Sequence, residues 1–205
     1  LPAEDGLVGM AWSPAVGSEI LPVAPSQAFQ AGSVAKDIPN LFLATKDEQN
    51  LIVLFRGKMD IDEAAYREII SDLSGSASAA TRVLDQYATA KYASPALALG
   101  DFLTDREVKC PMRRDLRALD ETGVETYMAH FTVGRAQVPG MKGLGAYHTV
   151  DVDFVLFTDD ESSYGLNERE QVLARSIISY WSSSAHTGDP NALAAGVAWP
   201  EYDAT

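Results

Sequence analysis

Leu41-Phe42-Leu43-Ala44-Thr45, followed at once by Lys46-Asp47-Glu48, is the stretch that decides the fold class. Five uncharged, mostly apolar residues read as a strand buried on both faces, which belongs in a parallel sheet covered by helices. The abrupt switch to charge sets a carboxylate just beyond the strand's C-terminal end, where open α/β sheets present functional groups. One surface glutamate among 29 acidic residues needs no explanation, so position alone singles out Glu48.

Upstream, Pro2, Pro14, Pro22, Pro25 and Pro39 punctuate a Gly- and Ser-containing segment that reads as irregular. Downstream, Asp60 to Leu73 reads as a helix with Ile61, Ala64, Ala65, Ile69 and Leu73 near one face, closed by Gly75. A second helical pattern covers Ala79 to Tyr92, with Val83, Leu84 and Tyr87 inward. A third covers Pro95 to Leu119, bent or restarted at Pro111.

Glu125 to Val133 has strong β character and gives a second strand. The loop Gly134–Gly145 follows. The clearest helix signal runs from Glu168 to His186. Asn167 and Glu170 supply its capping box, Val172, Ala174, Ile177, Ile178 and Trp181 its apolar face, and Gly188-Asp189-Pro190 its stop.

The chain of 205 residues is long enough for one domain with a sizeable core, and 46% hydrophobic residues place it among globular proteins. Sixteen Lys and Arg against 29 Asp and Glu give a net charge of −13. No basic run is present to neutralise a nucleic-acid backbone, and an anionic membrane surface is disfavoured for the same reason. No apolar stretch approaches the roughly 20 residues that span a bilayer. The single Cys110 excludes an intrachain disulfide and a multi-cysteine zinc site, and His, Cys and acid spacing offers no metal set.

Two strands and four or five helices pose a problem, because two parallel strands do not make a sheet with covered edges. The expectation is that the remaining strands come from elsewhere and that the chain is incomplete.

Of the three histidines, His148 sits in the loop Gly143-Leu144-Gly145-Ala146-Tyr147-His148-Thr149-Val150-Asp151. A loop histidine near carboxylates suits general-base work, although many loop histidines do nothing of the kind. His130, inside the second strand, reads as a core or second-layer residue. His186 suits the negative end of a helix. Glu48 and His148 together suit the acid and base of a nucleophilic relay, and their chain order matches that of a Ser…acid…His arrangement, provided that a serine comes first. No Gly-x-Ser-x-Gly elbow and no phosphate-binding glycine loop exists in the sequence.

These residues carry a resemblance to the C-terminal part of type-B carboxylesterases, the group of cholinesterases, fungal lipases and para-nitrobenzyl esterases. Val16-Gly17-Ser18-Glu19-Ile20-Leu21-Pro22 is similar to the family's V-D-G-x-x-L-P segment, with Gly17-Ser18 in place of Asp-Gly. Ile38 to Glu48 resembles the family's strand followed by N/T-x-D-E-G, with Gln49 where the glycine stands. Asp105 to Pro111 resembles D-x-x-F-x-C-P, and Tyr127 to Phe131 the Y-x-Y-x-F strand. Gly145-Ala146-Tyr147-His148 with Asp151 is similar to G-A-x-H-x-x-D/E, and Tyr180 to Asn191 with Trp199-Pro200-Glu201-Tyr202 resembles Y-W-x-x-F-A-x-T-G-D-P-N…W-P-x-Y.

The resemblance implies that residues 1–205 form the C-terminal portion of one α/β-hydrolase domain, with a mostly parallel central sheet completed by a separate N-terminal chain. It implies a carboxylic ester hydrolase in which Glu48 is the acid, His148 the base and Asp151 a supporting acid. The serine elbow and oxyanion hole would lie on the partner, the substrate would be a small-molecule ester, and no cofactor or metal is called for. Secretion is implied by the family alone. The competing expectation is an inactive relative that uses the fold for binding or adhesion.

Overall fold

In chain order the elements are α1 (Pro25–Gln30), β1 (Asn40–Thr45), α2 (Asn50–Phe55), α3 (Glu63–Ser74), α4 (Ala77–Gln86), α5 (Pro95–Thr104), α6 (Cys110–Glu121), β2 (Thr126–Phe131), α7 (Val152–Val155) and α8 (Glu168–Thr187). They are seen in a computed structural model that describes residues 15–157, 165–194 and 196–204. The expected irregularity of residues 1–14 lies outside the described residues. Two units divide the chain: residues 45–109 with 132–150, and residues 15–44 with 110–131 and those from 151 onward.

The first unit is built on the apolar faces of α2 to α5. Val53, Tyr66, Ile70, Ala80, Leu99 and Leu103 are buried together, with Ile61, Ile69, Leu73, Val83, Leu84 and Tyr87 packed around them. Each large apolar side chain withdrawn from water contributes about 1.5–3 kcal/mol. The helix ends follow from local chemistry. The Ala65 N–H donates to the Asp62 carboxylate at 2.8 Å to open α3, and Gly75 at φ +71° closes it. Ser76 and Ser94 cap α4 and α5 in the same manner. Three phenols fix the interhelical turns: Tyr66 donates to the Tyr87 carbonyl, Tyr87 to Asp105 and Tyr92 to Asp101.

The disturbance expected at Pro111 takes the form of a π-helical turn over Asp105–Lys109. Proline lacks an N–H and its ring presses on the carbonyl four residues back. A wider turn just ahead of it relieves that conflict.

In the second unit β1 and β2 pair in parallel as a two-stranded sheet, and the Asn40 N–H reaches the Glu125 carbonyl at 2.9 Å. The far edge of β2 receives the C-terminal segment. There the Trp199 indole donates to the Met128 carbonyl at 3.0 Å and the Tyr202 N–H to the Thr126 carbonyl at 2.7 Å. Asn191 holds Trp199 in place by bonding both its N–H and its carbonyl.

Three expectations change. β1 is only half-buried from Asn40 to Leu43 and fully buried at Ala44 and Thr45, because β2 is its one strand neighbour among the described residues. His130 is exposed rather than a core residue. Val172 is 65% exposed while Ala174 is buried. Two residues on a helix are turned about 200° apart, so these two cannot share a face. Helix α8 otherwise follows the sequence closely: Asn167 and Glu170 form a reciprocal capping box and Gly188 closes it at φ +84°. The short helix α1, set in a segment read as irregular, starts with Pro25 in the first turn, where its missing N–H costs nothing.

Candidate active site

β1 delivers its last buried residue at Thr45, and the chain turns sharply so that Glu48 folds back beneath the strand end. The Thr45 N–H donates to Glu48 Oε1 at 2.7 Å, which ties the carboxylate to the strand that carries it. Glu48 is 8% exposed, and a buried carboxylate requires partners for its oxygens. Its second oxygen, Oε2, lies 2.7 Å from His148 Nδ1, so both oxygens are engaged.

The imidazole is oriented by that contact. With a carboxylate facing Nδ1, the neutral ring carries its proton there and leaves Nε2 as a free base. Among the described residues Nε2 makes no hydrogen bond, and the His148 side chain is 57% exposed. A buried acid therefore holds an exposed base by its inner nitrogen. Such an arrangement is suited to exchanging a proton between Nε2 and a group arriving from outside.

Backbone contacts set the two loops in register. The His148 N–H donates to the Glu48 carbonyl at 3.3 Å. The Asp47 N–H donates to the Ala146 carbonyl at 2.9 Å, and the Ala146 N–H returns to Asp47 Oδ2 at 2.8 Å. Asn50 Nδ2 donates to the Leu144 carbonyl at 2.9 Å. Buried Leu144, Ala146, Tyr147 and Val150 anchor the histidine loop on either side of His148.

The backbone next to the imidazole is strained. Thr149 has φ +72°, a conformation that β-branched residues avoid. Gln49, where the resemblance calls for glycine, sits at φ −83° and ψ −5°, open to any residue. Its N–H is satisfied by Thr104 Oγ1 at 3.0 Å, and Thr104 in turn donates to the Gly100 carbonyl. The change from glycine therefore leaves the turn after the acid intact.

Of the three candidate residues, Glu48 and His148 meet directly. Asp151 immediately precedes α7, where its carbonyl accepts from the Phe154 and Val155 N–H groups. The sequence reading missed Asp47, Asn50 and Thr104. Asp47 and Asn50 flank the acid within two residues, and that proximity was the available signal. Among the described residues no group of three or more His, Cys, Asp or Glu side chains is placed to hold a metal ion. No described helix is long and apolar enough to cross a membrane. Cys110 is exposed with a free thiol.

The sequence profile of the carboxylesterase family matches residues 4–205. Among curated proteins, acetylcholinesterase of Gallus gallus is 30% identical over 105 residues, which is 51% of this chain and 14% of that protein. The chain thus aligns with a small part of that relative's length. With the family profile running through almost all of the sequence, the chain belongs to the carboxylesterase family, whose fold is the α/β hydrolase.

Proposed function

We propose that residues 1–205 form the C-terminal part of one α/β-hydrolase domain of a serine carboxylesterase. Its Gly-x-Ser-x-Gly elbow and oxyanion hole lie on a separate N-terminal chain, which also completes the mostly parallel sheet. The observation that carries this reading is the 2.7 Å contact from buried Glu48 to His148 Nδ1, with Nε2 left open.

Glu48 holds the imidazole and stabilises the imidazolium. Nε2 takes the serine proton as Oγ bonds to the ester carbonyl carbon, and partner N–H groups stabilise the oxyanion. The protonated Nε2 then gives its proton to the leaving alkoxide as the C–O bond breaks. Water, deprotonated by the same nitrogen, cleaves the acyl-enzyme to the carboxylic acid and regenerates the serine. Asp151, three residues past His148, is a supporting acid in this reading. The substrate is a small-molecule ester, and the protein works outside the cell.

The test uses the protein assembled with its serine-bearing part and short-chain para-nitrophenyl esters. Changing His148→Ala is expected to lower kcat by about a thousandfold or more while assembly persists. Retained turnover would overturn the assignment. Denaturing intact-mass measurement, with peptide sequencing of any second component, tests the partner. A polypeptide with Gly-x-Ser-x-Gly supports it, and one without that serine favours the adhesion reading.

A further inference from the structure

A carboxylate other than Glu48 reaches the histidine loop. Asp47 makes a two-way contact with Ala146, donating from its N–H at 2.9 Å and accepting at Oδ2 at 2.8 Å. Ala146 lies two residues before His148, and Asp47 lies next to Glu48. The four residues therefore form a frame in which the acid–base pair is one diagonal and the Asp47 clamp the adjoining rung.

Two glycines make the clamp sterically possible. Gly145 has φ +67°, and a Cβ there would come 2.2 Å from Asp47 Oδ2. Behind it, a Cβ on Gly134 would meet the Gly145 carbonyl oxygen at 2.5 Å. Both distances are shorter than any real carbon contact. The backbone of Gly134 thus backs Gly145, and Gly145 lies directly against the Asp47 carboxylate. Buried Asn50 adds a third rung by donating to the Leu144 carbonyl.

The clamp adds to the restraints that His148 draws from its N–H bond to the Glu48 carbonyl and from buried Tyr147 and Val150. The His148 side chain is 57% exposed and, among the described residues, hydrogen-bonded only through Nδ1. The strained Thr149 follows it directly. The position of the ring follows the backbone that carries it, and a displacement of about 1 Å costs a relay on the order of a hundredfold in rate.

We propose that Asp47 is a positioning residue of the esterase site, acting through the Ala146 amide to fix the height of His148 against Glu48. What it supplies is hydrogen-bond acceptance at Oδ2 rather than charge. This inference rests on the esterase reading above.

The experiment compares Asp47→Ala, Asp47→Asn and His148→Ala in the assembled protein. Asp47→Ala is expected to lower kcat about 10–100-fold with KM within about twofold, while the thermal midpoint stays close to the parent's. Asp47→Asn, which keeps an acceptor oxygen, is expected to return to within a few-fold of the parent. Unchanged kcat in Asp47→Ala overturns the proposal, as does Asp47→Asn being as impaired as Asp47→Ala. Activity surviving His148→Ala would sink the esterase reading instead. If Asp47→Ala does not fold, hydrogen exchange of peptides covering 141–150 in the parent decides: protection at Ala146 supports the clamp, and exchange at the rate of a free loop amide overturns it.

Discussion

Glu48 and His148 stand 100 residues apart in the chain and 2.7 Å apart in space, joined through Oε2 and Nδ1. Each residue has its own anchor, and the two segments also brace one another through the Asp47–Ala146 and Asn50–Leu144 contacts. Glu48 is tied to the end of β1 through the Thr45 N–H, and His148 to a loop anchored by buried Tyr147 and Val150. The pair is where two loops, held in register by their own backbone contacts, converge.

Replacing Glu48 by Gln keeps the acceptor for the Thr45 N–H but turns an NH2 toward Nδ1. The ring must then carry its proton on Nε2, which removes the base. Turnover of the assembled protein is expected to fall by about 10³–10⁴ with little change in the unfolding midpoint. Steady-state kinetics beside a thermal melt checks this, and a loss of under tenfold would count against the acid's role.

Gly134→Ala meets backbone rather than a movable side chain, since its Cβ would lie 2.5 Å from the Gly145 carbonyl oxygen. Destabilisation by about 1–3 kcal/mol is expected from such overpacking. Gly57→Ala, where no atom lies within 4 Å but φ is +63°, is the control for backbone strain alone. Denaturant melts of the two variants should differ, with Gly134→Ala the weaker.

Asn167→Ala removes the side chain that accepts from Arg169 and Glu170 and leaves the Glu170 half of the box alone. A loss of about 1 kcal/mol is expected, read as an earlier unfolding midpoint, while Asn167→Asp should come close to the parent.

Burial pushes the Tyr66 phenol up to about 12 from 10.0. The folded state therefore holds this proton more tightly than the unfolded chain. The associated stability is complete below pH 10 and is lost as pH rises through 12, by up to about 3 kcal/mol. Tyr66→Phe has no such proton to lose, so its stability should fall less steeply over that interval in urea melts taken at stepped pH.

Capping residues and helical spacing were legible because their physics is local. Asn167, Glu170 and Gly188 mark both ends of α8 through bonds within their own turns. The acid and histidine were legible from position and family resemblance. What stayed hidden depends on contacts between distant segments. Nothing in Asp47 announces that its carboxylate meets an amide 99 residues away. The half-exposure of β1 was hidden for a related reason: an apolar run records the burial a strand is suited to, while its neighbours decide the burial it receives.

Among the described residues, Trp199 and Tyr202 occupy one side of the two-stranded sheet, which leaves a growth front along β1. Any strand that lengthens the sheet must join there, beside the segment that ends in Glu48. A native neighbour and a second copy of the chain would compete for the same row of backbone groups. Both pairings are then bimolecular, so dilution weakens each alike, and the ratio of native partner to free copies decides which one forms.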